Sequence, residues 1–451
     1  MATSPTAVII LAAGLGTRMK SDTPKVLHKL AGRPMVLHLM DTATALEPER
    51  IIVVIGPGME AVGDAVAAHP LEAETALQDD PLGTGHAAVC ALSKLEGFSG
   101  NILILYGDSP LLTAGAMERL LAARTNGTDP GVVVLGFRSS DPGQYGRLVF
   151  GEASSLDYIV EAADAGDDDL HTGLYNSGIL AVDGDRFADW VSTIGDENAK
   201  GEFYLTDIVG ISVAEGRKCQ VVVGDERELV GVNTRAELAA AERLLQDRLR
   251  AQAMDEGATL VDPDTVYFSF DTKIGRDVTI GPDVVFGPGV SVGDNVEIRA
   301  FCHIEGTKIE SGAIIGPFAR LRPGAEIGED VHIGNFVEVK NATLAAGAKA
   351  NHLAYVGDAS IGAGANIGAG TITCNYDGYL KSVTKIGAGA FIGSNTALVA
   401  PVNVGEGAVI GAGSVITRDV EAGALAVSRG LQSDIPGWAA KRRLKAKPDK
   451  N

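Results

Sequence analysis

From position 274 onward an aliphatic residue recurs at every sixth place, a pattern that few folds can use. Ile274, Ile280, Phe286, Val292, Ile298 and Ile304 set the phase; a five-residue step resets it, and Ile309, Ile315, Leu321, Ile327, Ile333 and Val339 follow. The register resumes at Ile361 and Ile367, and again at Ile386, Ile392, Leu398, Val404, Ile410 and Ile416. A period of six matches neither the 3.6 of a helix nor the 2 of an ordinary strand. It fits a hexapeptide-repeat parallel β-helix, in which each hexapeptide supplies one short strand and one corner and the aliphatic side chain fills the prism. The small residue that follows, often Gly, permits a tight corner. Glycine at 57 of 451 residues, nearly twice the ~7% average, is thereby explained without a flexible tract. The pattern breaks between Val339 and Ile361, where Lys340, Asn351, His352, Tyr355 and Asp358 crowd in, and an interrupted solenoid is where function is expected.

The first half reads differently. Apolar runs Ala7–Ala12, Ile51–Ile55, Asn101–Leu105 and Val132–Phe137 alternate with the helix-like stretches Pro34–Leu46 and Thr113–Ala123. That is the pattern of an α/β, Rossmann-like parallel sheet covered on both faces, with a binding crevice at the carboxyl ends of its strands. Between the halves, Thr234–Met254 is rich in Ala, Leu, Glu and Arg, and Leu238, Leu245 and Leu249 recur at helical spacing. The expected organisation is a domain over 1–233, a linker helix over 234–254 and a left-handed β-helix over 255–451. The basic end, Lys441–Asn451, reads as a solvated tail.

Charge and cysteine usage narrow the function classes. Lys plus Arg is 38 against 58 for Asp plus Glu, a net charge of −20, which argues against a nucleic-acid binder or a protein of anionic membrane surfaces. No apolar run approaches the ~20 residues of a membrane span. Cys90, Cys219, Cys302 and Cys374 are scattered, with no CxxC pair, so neither a disulfide scaffold nor a zinc site is expected, and a cytoplasmic setting fits.

After the first strand comes Leu11-Ala12-Ala13-Gly14-Leu15-Gly16-Thr17-Arg18-Met19, then Pro24-Lys25. Small residues let backbone N–H groups approach phosphate oxygens, and Arg18 and Lys25 supply charge. The spacing is neither GxGxxG nor GxxxxGK[ST]. This run resembles the signature of sugar-1-phosphate nucleotidyltransferases. QDDPLGTGHA (Gln78–Ala87), YGDSPLL (Tyr106–Leu112), YGRLV (Tyr145–Val149), IVEAADA (Ile159–Ala165), YNSGI (Tyr175–Ile179) and GVNTRAEL (Gly231–Leu238) narrow the resemblance. With the hexapeptide half, the chain is similar to the bifunctional bacterial N-acetylglucosamine-1-phosphate uridyltransferase/glucosamine-1-phosphate acetyltransferases.

That resemblance implies two active sites. In the first, Leu11, Ala12, Ala13, Gly14, Lys25, Gln78, Gly83, Thr84, Tyr106 and Gly107 would contact UTP, with Gln78, Gly83 and Thr84 reading uracil. Asp108 and Asn233 would hold Mg²⁺, a hard ion suited to sparse oxygen ligands. Gly146, Glu161, Asn176 and Asn233 would hold the sugar phosphate, and Arg18 and Lys25 would neutralise charge during in-line transfer. In the second, His352 would be the general base that takes a proton from the glucosamine amine as it attacks acetyl-CoA. Arg322, Lys340, Tyr355 and Asn366 would bind glucosamine-1-phosphate, and Ala369, Asn375, Tyr376, Ser394, Ala412 and Arg429 would bind acetyl-CoA. Glu338 is a candidate to orient His352 or the amine. Cys374 needs no role in direct transfer. The resemblance further implies small-molecule substrates, a homotrimer formed through the β-helices and a product destined for peptidoglycan and lipopolysaccharide. The competing reading is a nucleotidyltransferase with one activity, whose β-helix only oligomerises or binds an effector.

Overall fold

The computed structural model describes residues 4–125, 127–140, 143, 145–151, 155–166 and 173–445, and the chain divides into two compact units between Arg248 and Leu249. In the first unit nine strands form one sheet: β1 (Thr6–Leu11), β2 (Arg50–Ile55), β3 (Glu74–Leu77), β4 (Asn101–Tyr106), β5 (Val132–Phe137), β6 (Arg147–Phe150), β7 (Leu156–Val160), β8 (Tyr175–Asp183) and β9 (Cys219–Val223). The strand order is β9-β5-β8-β4-β1-β2-β3, with β6 paired to β8 and to β7. β1 is parallel to both β2 and β4, whereas β8 runs antiparallel to β4 and β5.

Among the described residues, six helices cover this sheet: α1 (Met35–Thr44), α2 (Glu60–Ala67), α3 (Thr84–Cys90), α4 (Ala114–Thr125), α5 (Gly184–Ser192) and α6 (Ile208–Ala214). Alternate strand residues point to opposite faces. Ile9, Ile52 and Ile104 pack with α3, α5 and α6, while Ile10, Val53 and Leu105 pack with α1, α2 and α4. A strand buried on both faces must be apolar at every position, which is why these segments read as continuous runs. Strand order reverses at β1, so a crevice opens at the carboxyl ends of β1 and β4. There the Gly107 N–H donates to the Leu11 carbonyl at 2.9 Å.

A helix, α7 (Arg235–Asp255), contains the division between the units. Beyond it the chain winds as a three-walled parallel solenoid, consistent with a left-handed β-helix. Strands Thr279–Ile280, Glu297–Ile298, Ile314–Ile315, His332–Asn335, Lys349–His352 and Asn366–Ile367 stack on one wall, each over its equivalent in the preceding coil. Every aliphatic residue of the six-residue pattern is buried except Ile274 in the first coil, which is partly so.

The expected interruption after Val339 is not a break in the solenoid. Val356 stacks over Val339, Ala350 over Ile333 and Leu344 over Ile327, and the side chains of Leu344, Ala350 and Val356 are fully buried. Five-residue steps and one small inward residue hide the period there. The excursion from the prism lies later, between Cys374 and Thr384. At the other end, α8 (Trp438–Lys445) is a short helix whose described side chains are exposed, and the rest of the basic tail lies outside the described residues. Among the described residues no helix is long and apolar enough to cross a membrane.

Where glycine follows the inward aliphatic residue, as at Gly281, the spacing of the coils can require it. A Cβ on Gly281 would lie 2.8 Å from the backbone nitrogen of Ala300 in the next coil, closer than real Cβ contacts allow. Gly281→Ala should therefore force the coils apart, with an overpacking cost of about 1–3 kcal/mol. Thermal melting of the full chain should show a lowered transition for the carboxyl-terminal unit; an unchanged melting profile would contradict this account.

Candidate functional site

The crevice of the first unit is a cavity of about 290 Å³ lined by Leu11, Ala12, Ala13, Gly14, Lys25, Gln78, Gly83, Thr84, Tyr106 and Asp108, with Pro81 and Glu202 beside them. Two glycines shape it in different ways. Gly16 has φ +61°, and a Cβ there would meet the Lys25 side chain, so its absence seats Lys25 against the turn. Nothing lies within 4 Å of where a Gly14 Cβ would be, which leaves that side open to a ligand. A larger cavity, about 810 Å³, opens near the amino ends of β1 and β4, and among the described residues no Lys or Arg lines it.

Lys25 is the hub of the crevice. Its Nζ donates to Asp108 Oδ2 at 2.5 Å and to Asn233 Oδ1 at 2.9 Å. Asn233 arrives there because the segment before α7 is pinned at several points. The Val232 N–H donates to the Asp108 carbonyl at 2.8 Å, and the N–H groups of Asn233 and Thr234 both donate to Glu237 Oε2, at 2.7 and 2.8 Å. The Glu237 N–H donates in return to Thr234 Oγ1, so Thr234 and Glu237 form a capping box. Thr234, not Asn233, caps α7, and the Asn233 amide is left free for the crevice. Arg235 adds a tie that the motifs did not disclose: its guanidinium bonds the Met19 carbonyl and the His28 ring. Burial and the Arg235 charge both hold His28 below the ordinary histidine range.

The remaining residues expected at this site are spread around the cavity. Gln78 Nε2 donates to the Gly83 carbonyl at 3.0 Å, and Thr84 Oγ1 accepts from the Leu205 N–H. Tyr106 lines the crevice, and burial together with the Glu161 charge pushes its hydroxyl upward. The Asn176 N–H donates to the Gly146 carbonyl at 2.8 Å, and Asn176 is itself buried. Arg18 stands exposed on the turn Thr17–Met19 and makes no ion pair among the described residues.

In the second unit the expected residues fall into columns along the prism. Leu321 and Val339 stack, which sets Arg322 and Lys340 one above the other on a wall shared with Tyr355. His352 precedes the corner between that wall and the next, and Asn366 lies over Lys349 on the neighbouring wall. Ile367, Ile392 and Ile410 also stack, placing Ala369, Ser394 and Ala412 at one corner of successive coils; Arg429 Nη1 donates to the Ala412 carbonyl at 2.6 Å.

His352 lines a cavity of about 280 Å³ with Arg299, His332, Asn335 and Asn351, and none of the residues expected to bind glucosamine-1-phosphate or acetyl-CoA lines it. The side chain bonded to the His352 ring is Asn335; Glu338 instead accepts from Arg322 at 2.8 Å. Asp358 is buried and takes hydrogen bonds from Asn341 and Asn375. Burial opposes its ionisation, yet those two amides hold its carboxyl below the usual range. It thereby fixes Asn375 at the root of the loop carrying Tyr376. Burial pushes the Cys374 thiol up, and nothing nearby activates it as a nucleophile.

A switch-point crevice with a lysine hub, in one chain with a hexapeptide solenoid, defines a transferase with a nucleotidyltransferase-type unit. Residues 8–175 match the MobA-like NTP transferase domain, and residues 271–306, 306–341 and 384–418 match the bacterial transferase hexapeptide (six repeats). The protein named bifunctional protein GlmU in Paramagnetospirillum magneticum is 62% identical over the whole of both chains. Its namesakes in Rhodospirillum rubrum and Paracoccus denitrificans are 60% and 54% identical, over 97% and 98% of each chain. The chain belongs to this bifunctional GlmU family.

Glu161 carries a pH dependence of its own. Burial raises its carboxyl above the ordinary value near 4.5, and a hydrogen bond from Thr206 and the charges of Lys200 and Arg147 offset this only in part. The fold thus favours the protonated form: this group's contribution to stability is full below the unfolded value and is lost as pH rises through the raised one. Glu161→Gln should raise the melting temperature of the first unit at pH 7 and change it little near pH 4. Melting curves at both pH values check this, and an equal shift at the two would contradict it.

Proposed function

We propose that the chain is a bifunctional enzyme of UDP-N-acetylglucosamine synthesis, with uridylyl transfer within residues 1–233 and acetyl transfer within 255–451. The observation that carries the first assignment is Lys25 bonded to both Asp108 and Asn233. Two oxygen donors, one anionic, suit Mg²⁺, which keeps most of its waters and bridges phosphates. Bound there, the ion would neutralise charge on the UTP phosphates, and Lys25, released from the two donors, would turn to the phosphates themselves. Glu161, Asn176 and Gly146 orient N-acetylglucosamine-1-phosphate. Its phosphate oxygen attacks the α-phosphorus in line, the bond to the β-phosphate oxygen breaks, and pyrophosphate leaves. Positioning and charge neutralisation by Arg18 and Lys25 supply the catalysis, with no covalent enzyme intermediate.

At the second site, Arg322 and Lys340 answer the phosphate of glucosamine-1-phosphate, with Tyr355 and Asn366 holding the sugar. The amine attacks the thioester carbon of acetyl-CoA and its proton passes to His352 Nε2. The C–S bond breaks, and the proton ends on the departing thiolate. The corner column of Ala369, Ser394 and Ala412, with Arg429, Asn375 and Tyr376, carries the coenzyme. Because the His352 cavity of one chain contains none of these residues, a homotrimer with β-helices side by side completes the site. The setting is cytoplasmic, where UTP and acetyl-CoA are available.

Asp108→Ala should abolish pyrophosphate release while thiol release continues, and His352→Ala should do the converse, with a loss in the ~10²–10⁴-fold range of a general base. Separate assays of the two products in each variant decide the assignment; pyrophosphate release at the normal rate by the Asp108 variant would overturn it. Mixing His352→Ala with Arg429→Ala chains under subunit exchange should restore part of the thiol release if neighbouring chains share a site. A fully active monomer by light scattering would contradict the trimeric site.

A further inference from the structure

We infer that Asn335 is a positioning residue for acetyl transfer, holding His352 in the tautomer whose Nε2 is free to accept a proton. The proposal rests on the reading of His352 as the general base.

His352 Nδ1 and Asn335 Oδ1 are 2.7 Å apart. A carboxamide oxygen only accepts, so the shared hydrogen sits on Nδ1, and a neutral imidazole protonated at Nδ1 has its lone pair on Nε2. His352 is exposed, which leaves Nε2 accessible to an amine. The geometry comes from the coil itself. Asn335 and His352 are register partners on adjacent coils, and the Asn335 carbonyl accepts from the Leu353 N–H at 3.0 Å. Backbone and side chain of Asn335 thus grip His352 and its successor together, and Phe336, next in the chain, is stacked on Phe318 with ring centroids 5.0 Å apart.

The surroundings explain why the acceptor is neutral. Arg299 and His332 line the same cavity; Arg299 is paired with Glu297 at 2.9 Å. Burial and then the charges of Arg299 and Lys349 hold His332 below its ordinary range, so His332 favours its neutral form there. Among the described residues, no carboxylate lines the cavity beside His352. An amide or a carboxylate oxygen there selects the same tautomer, and the amide does so without placing a charge beside the base.

The test compares Asn335→Leu, which keeps the size and removes the acceptor, with Asn335→Asp, which keeps an acceptor oxygen. Full-length ¹⁵N-histidine protein, with the His352 signal assigned by difference against His352→Gln, reports the tautomer directly. For Asn335→Leu we expect loss of the Nδ1–H preference and a fall of roughly 10-fold or more in kcat for thiol release, a part of the ~10²–10⁴ a general base contributes. KM for glucosamine-1-phosphate and acetyl-CoA should move little. Asn335→Asp should restore the Nδ1–H form and most of kcat, which a merely structural loss would not allow. Retained pyrophosphate release and an unaltered light-scattering mass establish that each variant is folded and assembled. Unchanged kcat and tautomer in Asn335→Leu, with His352→Ala inactive, would overturn the positioning role alone. Normal thiol release by His352→Ala would overturn the reading of His352 as the base, and this proposal with it.

Discussion

The backbone ladder between successive coils governs the carboxyl-terminal unit. Each short strand hydrogen-bonds to its equivalent one coil away, so a side chain's position along a wall is copied onto the next coil. That repetition sets Asn335 under His352 and Arg322 under Lys340, and it builds the corner column of Ala369, Ser394 and Ala412. No single contact is strong; the ladder derives its rigidity from a repeat in which each coil is braced by its neighbours. Glycine is essential to it because the coils approach more closely than a Cβ permits at positions such as Gly281.

The amino-terminal unit obeys a different constraint. A sheet buried on both faces places its chemistry at strand ends, and the reversal of order at β1 determines which ends diverge. The crevice then needs a residue from far along the chain, and the capping box of α7 delivers it. Glu237 holds the N–H groups of Asn233 and Thr234, so the start of a helix also fixes the donor opposite Asp108. Helix stability and site geometry are one structure here, and a change at Glu237 would act on both.

How much of this was legible in the sequence depended on whether a feature was periodic or local. The inward aliphatic residues could be read off because their period is six, and the nucleotide crevice because LAAGLGTRM is contiguous and follows an apolar run. The coil over 339–361 reads as a break in the sequence because Ala350 is a small inward residue and the steps from Val339 to Leu344 and from Val356 to Ile361 shorten to five. Asn335 went unnoticed for a related reason. Residues 335 and 352 look unrelated until the coil length is known, after which a look seventeen places back from His352 finds it. That Thr234 caps α7 and leaves the Asn233 amide to Lys25 shows only in the hydrogen bonds. Glu338 looked like a partner for His352 from nearness in sequence, but side chains along a wall pair across coils, and Glu338 finds Arg322 on the preceding one.

The two units also differ in what a single chain can build. An open α/β sheet makes a concave crevice by itself, since loops from several strand ends surround one point, and most residues expected to bind nucleotide line one cavity. A triangular prism is convex along its length. Its walls are flat and its corners project, so residues on different walls diverge however regular the coil: Tyr355 and Asn366 stand on two walls, and His352 beside the corner between them. In the proposed acetyl-transfer site, a second surface alongside would close the cleft around amine, phosphate and thioester. The small residues between inward positions, as in Gly362–Gly370, keep the prism narrow enough for such a surface to approach. On the proposed reading, the periodic architecture that aligns these side chains would also make acetyl transfer, unlike uridylyl transfer, dependent on association.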